Sequence, residues 1–180
     1  MGLYHKGIPE NRALALARKH GIDTLVETGT QVGRTAVWAA RHFKKVITIE
    51  VDEGYFGRTV EKHGHVQNIE FIYGDSGEVL LDVMPRLTTP AMFWLDAHWS
   101  RDLLYGRPEV ICPVMTEIAA INTFPDPGHI IMIDDARLFL GENSWPYSMD
   151  VVKELQKFGN RHVSIEEDVF WSWPYGESDA

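Results

Sequence analysis

The sequence predicts an α/β domain: a doubly wound, mostly parallel sheet of seven strands, helices on both faces, and an antiparallel strand at the C-terminal end. Three observations carry this. Short apolar runs such as Leu25-Val26 and the β-branched Val46-Ile47-Thr48-Ile49 read as buried strands. They alternate with stretches of helical periodicity, as βαβ units do. Acids then recur where apolar runs end, at Glu27, Glu50, Asp96, Asp134 and Asp135, the side on which open α/β sheets bind ligands.

The elements follow in order. Residues 9–20 have the Ala/Leu periodicity of a helix ended by Gly21, which would cover the sheet before its first strand. The next segment, TLVETGTQVGRTAVWAARHFKKVITIE, reads as strand, ligand loop, helix and strand. Leu25 and Val26 enter a turn at Thr28-Gly29-Thr30, where glycine allows backbone angles and a close approach that a Cβ would obstruct. Gly33 lets the following helix, residues 34–42, start close against the sheet, with Val37, Trp38, Ala40 and Phe43 as its apolar positions. A second crossover helix is expected over 53–63, although Gly54 and Gly57 each weaken it by roughly 1 kcal/mol.

The loop chemistry selects the ligand. Glu50 follows Gly29 by 21 residues, close to the spacing of roughly 20 at which an acid accepts hydrogen bonds from ribose hydroxyls. A dinucleotide loop needs G-x-G-x-x-G, so that pyrophosphate can lie on bare amides; here Glu27 replaces the first glycine or, in the other register, Gln31 the second. A carboxylate repels pyrophosphate but attracts an amine or a sulfonium, so S-adenosylmethionine (SAM) is preferred over NAD. The lack of G-x-x-x-x-G-K-[ST] removes a P-loop reading.

The sequence E-T-G-T-x-x-G-x-T, followed by a strand ending in Glu50, resembles the first two motifs of class I SAM-dependent methyltransferases, whose fold is Rossmann-like. The resemblance runs from about residue 24 to 158. It implies that Glu27, Thr28, Gly29, Thr30, Gly33 and Thr35 border the cofactor, with Glu50 on the ribose. Residues 68–76 look like the third strand and the acidic turn that holds the adenine amine through Asp75 and a neighbouring amide at Ser76. Residues 91–96 and 129–135 look like the fourth and fifth strands. More narrowly, FWLDAHWS with IIMIDDARLFLG resembles small bacterial methyltransferases grouped with the macrocin O-methyltransferase and FkbM-like families, often linked to O-methylation of sugars and natural products. In the macrocin type an Asp ending the fourth strand and an Asp-Asp pair ending the fifth bind Mg²⁺; Asp96, Asp134 and Asp135 match those positions, and oxygen ligands suit that ion. His98 stands where related motifs offer a further acid.

The remaining elements complete the same architecture. Residues 75–84 form a short third crossover closed by Pro85, residues 100–112 a loop over the site, and residues 113–123 a helix with Pro at its first turn. Residues 148–158 form an amphipathic helix stopped by Gly159-Asn160, and residues 162–166 and 168–173 a tight terminal hairpin. The chain is thus one domain over 1–180: a helical cover at 1–22, a core at 23–173 and a tail at 174–180.

Net charge is −9, with 26 acidic against 17 basic residues and no basic run, so a groove tracking nucleic-acid phosphates is not expected. No apolar stretch reaches membrane-spanning length, and the opening residues lack a signal-peptide core; a cytoplasmic protein is expected. Cys112 stands alone, without a disulfide partner.

Candidate chemistry follows from the acids. Asp96 could accept the SAM amine or join a metal site, and His98, with an ordinary pKa near 6.5, could take the acceptor's proton. The competing assignments are structural. Asp75 could cap the helix after it, His98 could be a hydrogen-bonded core histidine, and Arg137 could pair with Asp134 or Asp135. Trp38, Trp94 and Trp171 read as core, whereas Trp99 and Trp145 could wall an acceptor pocket. Phe170, Trp171, Trp173 and Tyr175 could close the core or serve a homodimer. The leading function is O-methylation of a small-molecule hydroxyl with SAM; a transferase or lyase moving another group of SAM, or a catalytically silent SAM-binding domain, are the alternatives.

Overall fold

The computed structural model describes residues 7–98, 112–142 and 144–175. Its elements are α1 (Glu10–Lys19), β1 (Thr24–Thr28), α2 (Arg34–Ala39), β2 (Lys45–Glu50), α3 (Glu53–His63), β3 (Ile69–Tyr73), α4 (Ser76–Val83), β4 (Met92–Leu95), α5 (Val114–Asn122), β5 (Ile130–Ile133), α6 (Ser148–Gln156), β6 (Arg161–Glu166) and β7 (Val169–Pro174). The seven strands lie in the order β3-β2-β1-β4-β5-β7-β6. All pairs from β3 through β5 are parallel, and β7 runs antiparallel to both β5 and β6. This is the predicted fold class.

The central strands are buried on both faces, which explains their unbroken apolar runs. One face packs Val26, Ile47, Phe93 and Ile131 against α4, α5 and α6 through Leu80, Ile118 and Val151. The other sets Leu25, Val46, Met92 and Trp94 against α1 and α2 through Ala13, Ala17, Ala36 and Ala39. Alanines on these helices let them sit close to a sheet whose own side chains fill the space. Trp94 and Trp171 are fully buried, as expected. Cys112 is buried too, and burial pushes its thiol up to about 12, so it is an inert core group.

The chain order reverses between β1 and β4, the neighbours from which the two halves of the sheet wind outward. Loops leaving such adjacent strands diverge to opposite faces and open a crevice. Gly29 sits at this point with φ of +84°, and a Cβ there would lie 2.4 Å from the Asp96 carbonyl oxygen. The glycine therefore sets how closely the β1 and β4 loops approach.

One local reading is corrected at the hairpin. Asp168 belongs to the turn, not the strand: Glu167 and Asp168 both have positive φ, 54° and 67°, as a two-residue turn of the twist-matched type requires. This aims the Asp168 carboxylate at Arg137, whose backbone amide donates to it at 2.8 Å and whose guanidinium pairs with it.

Candidate active site

A cavity of about 1140 Å³ opens over the C-terminal ends of β1, β2, β3 and β4. Of the residues expected to hold a cofactor, Glu27, Gly29, Thr30, Gly33, Thr35 and Glu50 line it, with Asp75, Ser76 and Asp96 on the neighbouring walls. His98 lines it as well. Thr28 does not; it is fully buried in β1, where its hydroxyl accepts from the Asp96 amide at 3.3 Å. Asp134 and Asp135 also lie outside it.

The β1–β2 wall is built from acids held by neutral donors. Glu50 accepts from the Gln31 amide at 2.7 Å and the Asp52 amide at 2.8 Å, one at each oxygen, which locks the carboxylate against the loop. Glu27 accepts from the Thr48 hydroxyl at 2.6 Å, and Thr30 and Thr48 share a hydroxyl contact of 2.6 Å. Burial pushes the Glu27 carboxyl up to about 8; the Thr48 and Thr35 hydroxyls oppose this, while the charges of Asp96 and Glu50 add to it. Such a group ionises readily only when a cation arrives beside it.

Asp75 is the N-cap of α4, its carboxylate accepting from the Gly77 amide at 2.9 Å. The capping role is therefore real, and it leaves Asp75 on the cavity wall all the same. Ser76 donates to Glu117 at 2.6 Å. Glu117, buried in α5, escaped the sequence reading, although a lone acid inside the apolar VMTEIAAI run was a visible signal. Burial pushes its carboxyl up to about 7, opposed by hydrogen bonds from Ser76 and Thr28, so it braces the Asp75-Ser76 turn against β1. Tyr55 and Gln31 were likewise missed as lining groups.

The β4–β5 side is arranged differently. His98 Nε2 lies 3.0 Å from Asp96 Oδ1 and 3.0 Å from Asp135 Oδ2, with its N–H aligned as a hydrogen bond on neither. Burial alone would lower its pKa; the carboxylates of Asp135 and Asp96 outweigh it and lift the imidazolium to about 10. Burial would raise Asp135, yet His98 and Arg137 hold it below the ordinary carboxylate range. Arg137 pairs with Asp135 and not with Asp134. Asp134 instead accepts from the Asp135 amide at 2.8 Å, and burial with the nearby Asp96 charge pushes it up to about 7.

Two expectations change here. His98 is an imidazolium at neutral pH in this arrangement, because two carboxylates face one nitrogen; it is not a neutral base ready for a proton. Nor do Asp96, Asp134 and Asp135 fit Mg²⁺: among the described residues no three His, Cys, Asp or Glu side chains are placed to hold a metal ion. His98 stands between Asp96 and Asp135, and Asp134 turns to its neighbour's amide. Trp145 packs on His98 with ring centroids 5.0 Å apart and does not line the cavity. Trp38, expected in the core, is half-buried: it packs against the core cluster beneath α1 and α2 and also lines the cavity. Trp99 and nearly all of the predicted loop at 100–112 lie outside the described residues.

No family model and no curated protein sequence matches this chain. Solved structures do. An O-methyltransferase from Bacillus cereus, in complex with S-adenosylhomocysteine (SAH), is 14% identical over 96% of this chain and 84% of its own, with a TM-score of 0.64. The O-methyltransferase TomG from Streptomyces achromogenes, involved in tomaymycin synthesis and in complex with SAM, is 15% identical over 92% and 78%, at 0.61. An rRNA methylase from Streptococcus thermophilus is 16% identical over 94% and 96%, at 0.51. The chain therefore has the class I methyltransferase fold, a fold that carries small-molecule and RNA enzymes alike.

Proposed function

We propose that this protein is a SAM-dependent methyltransferase that acts on a hydroxyl of a small molecule. One observation carries the reading most: at the crossover between β1 and β4, Glu27, Glu50 and Asp96 face one cavity around Gly29, with no cationic side chain paired to Glu27 or Glu50 among the described residues. An acidic pocket with neutral partners calls for a cationic ligand bearing hydroxyls, which SAM is. The narrower likeness to macrocin-type and FkbM-like enzymes supports a sugar or natural-product hydroxyl as the acceptor class. The charge balance and the absence, among the described residues, of any helix long and apolar enough to cross a membrane accord with a small-molecule enzyme of the cytoplasm.

SAM supplies, when bound, an electrophilic methyl group on a sulfonium. The acceptor oxygen would take that methyl, and its hydroxyl proton would have to go to a base. In this chain Glu50 would hold ribose hydroxyls, Asp75 and the Ser76 amide the adenine, and Glu27 and Asp96 the cationic end. His98 becomes that base when a cation at Asp96 draws off part of the carboxylate charge that keeps the imidazole protonated. Positioning supplies the rest.

Calorimetric titration with SAM and SAH, with and without Mg²⁺, tests this on the wild type and on Glu50→Ala. Micromolar binding that collapses in the variant supports the reading. No binding in any condition sinks it. Binding that needs Mg²⁺ would restore the three-aspartate metal site, which requires His98 to leave its place between the acids. Sedimentation of the same samples decides whether a homodimer forms.

A further inference from the structure

The cavity, about 1140 Å³, lies just above the upper end of the volumes ligand pockets commonly have, roughly 300 to 1000 Å³. One lobe of its lining follows α2, with Ile8, Arg34, Val37, Trp38 and Arg41. The spacing 34, 38, 41 puts the two arginines and the tryptophan on one helical stripe. The backbone continues helically past Ala39, with the Arg41 amide on the Trp38 carbonyl at 3.1 Å.

The charge of this lobe is the opposite of the strand-end wall. In a chain of net charge −9, Arg12, Arg86, Arg137 and Arg161 are each paired with a carboxylate. Arg34 and Arg41 are exposed and have no such partner among the described residues. Lys62 faces the same cavity, and Glu10 is the acid on this rim. One cation near the ligand loop could serve the cofactor's own carboxylate. The other lies about 10 Å further along the helix axis, on the same stripe, and is left for a second anion. A planar guanidinium without a carboxylate suits bidentate recognition of anionic oxygens, and Trp38 between the two offers a flat apolar face.

We propose that the acceptor is an anionic small molecule, its carboxylate or phosphate held at Arg41 and its ring lying against Trp38. This rests on the methyltransferase reading and adds the substrate class to it. The ring then extends from α2 toward the Asp96–His98 end of the same cavity.

The test uses the full chain saturated with SAH. 3,4-Dihydroxybenzoate, catechol, glucose 6-phosphate, glucose and a single-stranded RNA oligonucleotide are each titrated calorimetrically, and SAH release is followed with SAM in place of SAH. The expected result is that at least one anionic ring compound binds about tenfold more tightly than its neutral counterpart. Arg41→Ala should erase that difference while leaving SAH affinity within about twofold. The benzoate and sugar phosphate arms separate a carboxylate from a phosphate. Equal affinity of charged and neutral partners, no binding of either anion at about 10 mM, an unchanged preference in Arg41→Ala, or binding of RNA alone would each overturn the proposal. Loss of SAH binding by the wild type is a different failure, that of the methyltransferase reading.

Discussion

The two sides of the strand-end crevice hold their acids by different means. Around β1–β3, Glu27, Glu50 and Asp75 accept from hydroxyls and backbone amides, which orient a carboxylate without cancelling its charge. Around β4–β5, Asp96 and Asp135 face His98, and Asp135 also meets Arg137, so charge is largely balanced inside the protein. The first side is thereby left attractive to a cation. The second is a self-contained cluster that must exchange a partner before it can act.

That contrast can be broken in stages. The largest effect should come from Gly29→Ala, whose Cβ would meet the Asp96 carbonyl at 2.4 Å from a backbone at φ of +84°. We expect SAH binding to vanish in calorimetry and thermal melts to fall by the equivalent of about 3 kcal/mol; a variant that melts and binds like the wild type would show that the two loops are not in register as described. Next, Glu50→Ala should weaken SAH by about 100-fold, since it removes the carboxylate proposed to accept from the ribose and frees the Gln31 and Asp52 amides. An effect under threefold would mean the first side does not hold the nucleoside.

Glu27 gives a pH signature. Its carboxyl is raised from 4.5 to about 8 in the fold, so the folded state keeps a proton that the unfolded chain gives up. The stabilisation is fully present below pH 4.5 and is lost as pH rises through about 8. Glu27→Gln should remove that decline, on the order of a few kcal/mol between pH 5 and 9, as seen in melts of ligand-free protein. An identical slope in both proteins would contradict the buried, unpaired state of this acid.

Smaller effects sharpen the other side. Asp135→Asn should lower the His98 pKa from about 10 by about one unit or more, read by proton NMR of the imidazole. A value that stays put would mean that Asp96 alone carries the interaction. Last, EDTA should change SAH release by less than about twofold, because His98 occupies the space between the acids. A clear loss that Mg²⁺ restores would overturn the self-contained cluster.

How much of this could be read in advance depended on sequence distance. The β1–α2–β2 unit spans fewer than 30 residues, and each of its requirements, a glycine at the turn, helical spacing and an acid at the second strand's end, is written locally. Helix α3 spans Glu53–His63, the range expected for it, and the structure adds Asp52 as the cap at its start. Asp75 was legible both as a cap and as a wall residue, because both roles follow from its place between a strand and a helix. Trp38 packs on the core as expected, but that it also lines the cavity was not legible, because an apolar side chain says nothing about which turn of α2 faces the cavity. Asp168 was misjudged because strand alternation continues through a two-residue turn.

By itself, then, the sequence determined the α/β class, the order of the elements and the acid-bearing loop, and it raised the expectation of a cationic adenosyl ligand. These rest on periodicity, backbone conformation and charge within a local stretch of chain. Only the tertiary structure decided that His98 meets Asp135, 37 residues away, that Glu117 braces Ser76, and that two arginines with no carboxylate partner among the described residues share a cavity with the acids. Those facts depend on which strands become neighbours, and sheet order is set by packing of the whole core, which no local spacing encodes.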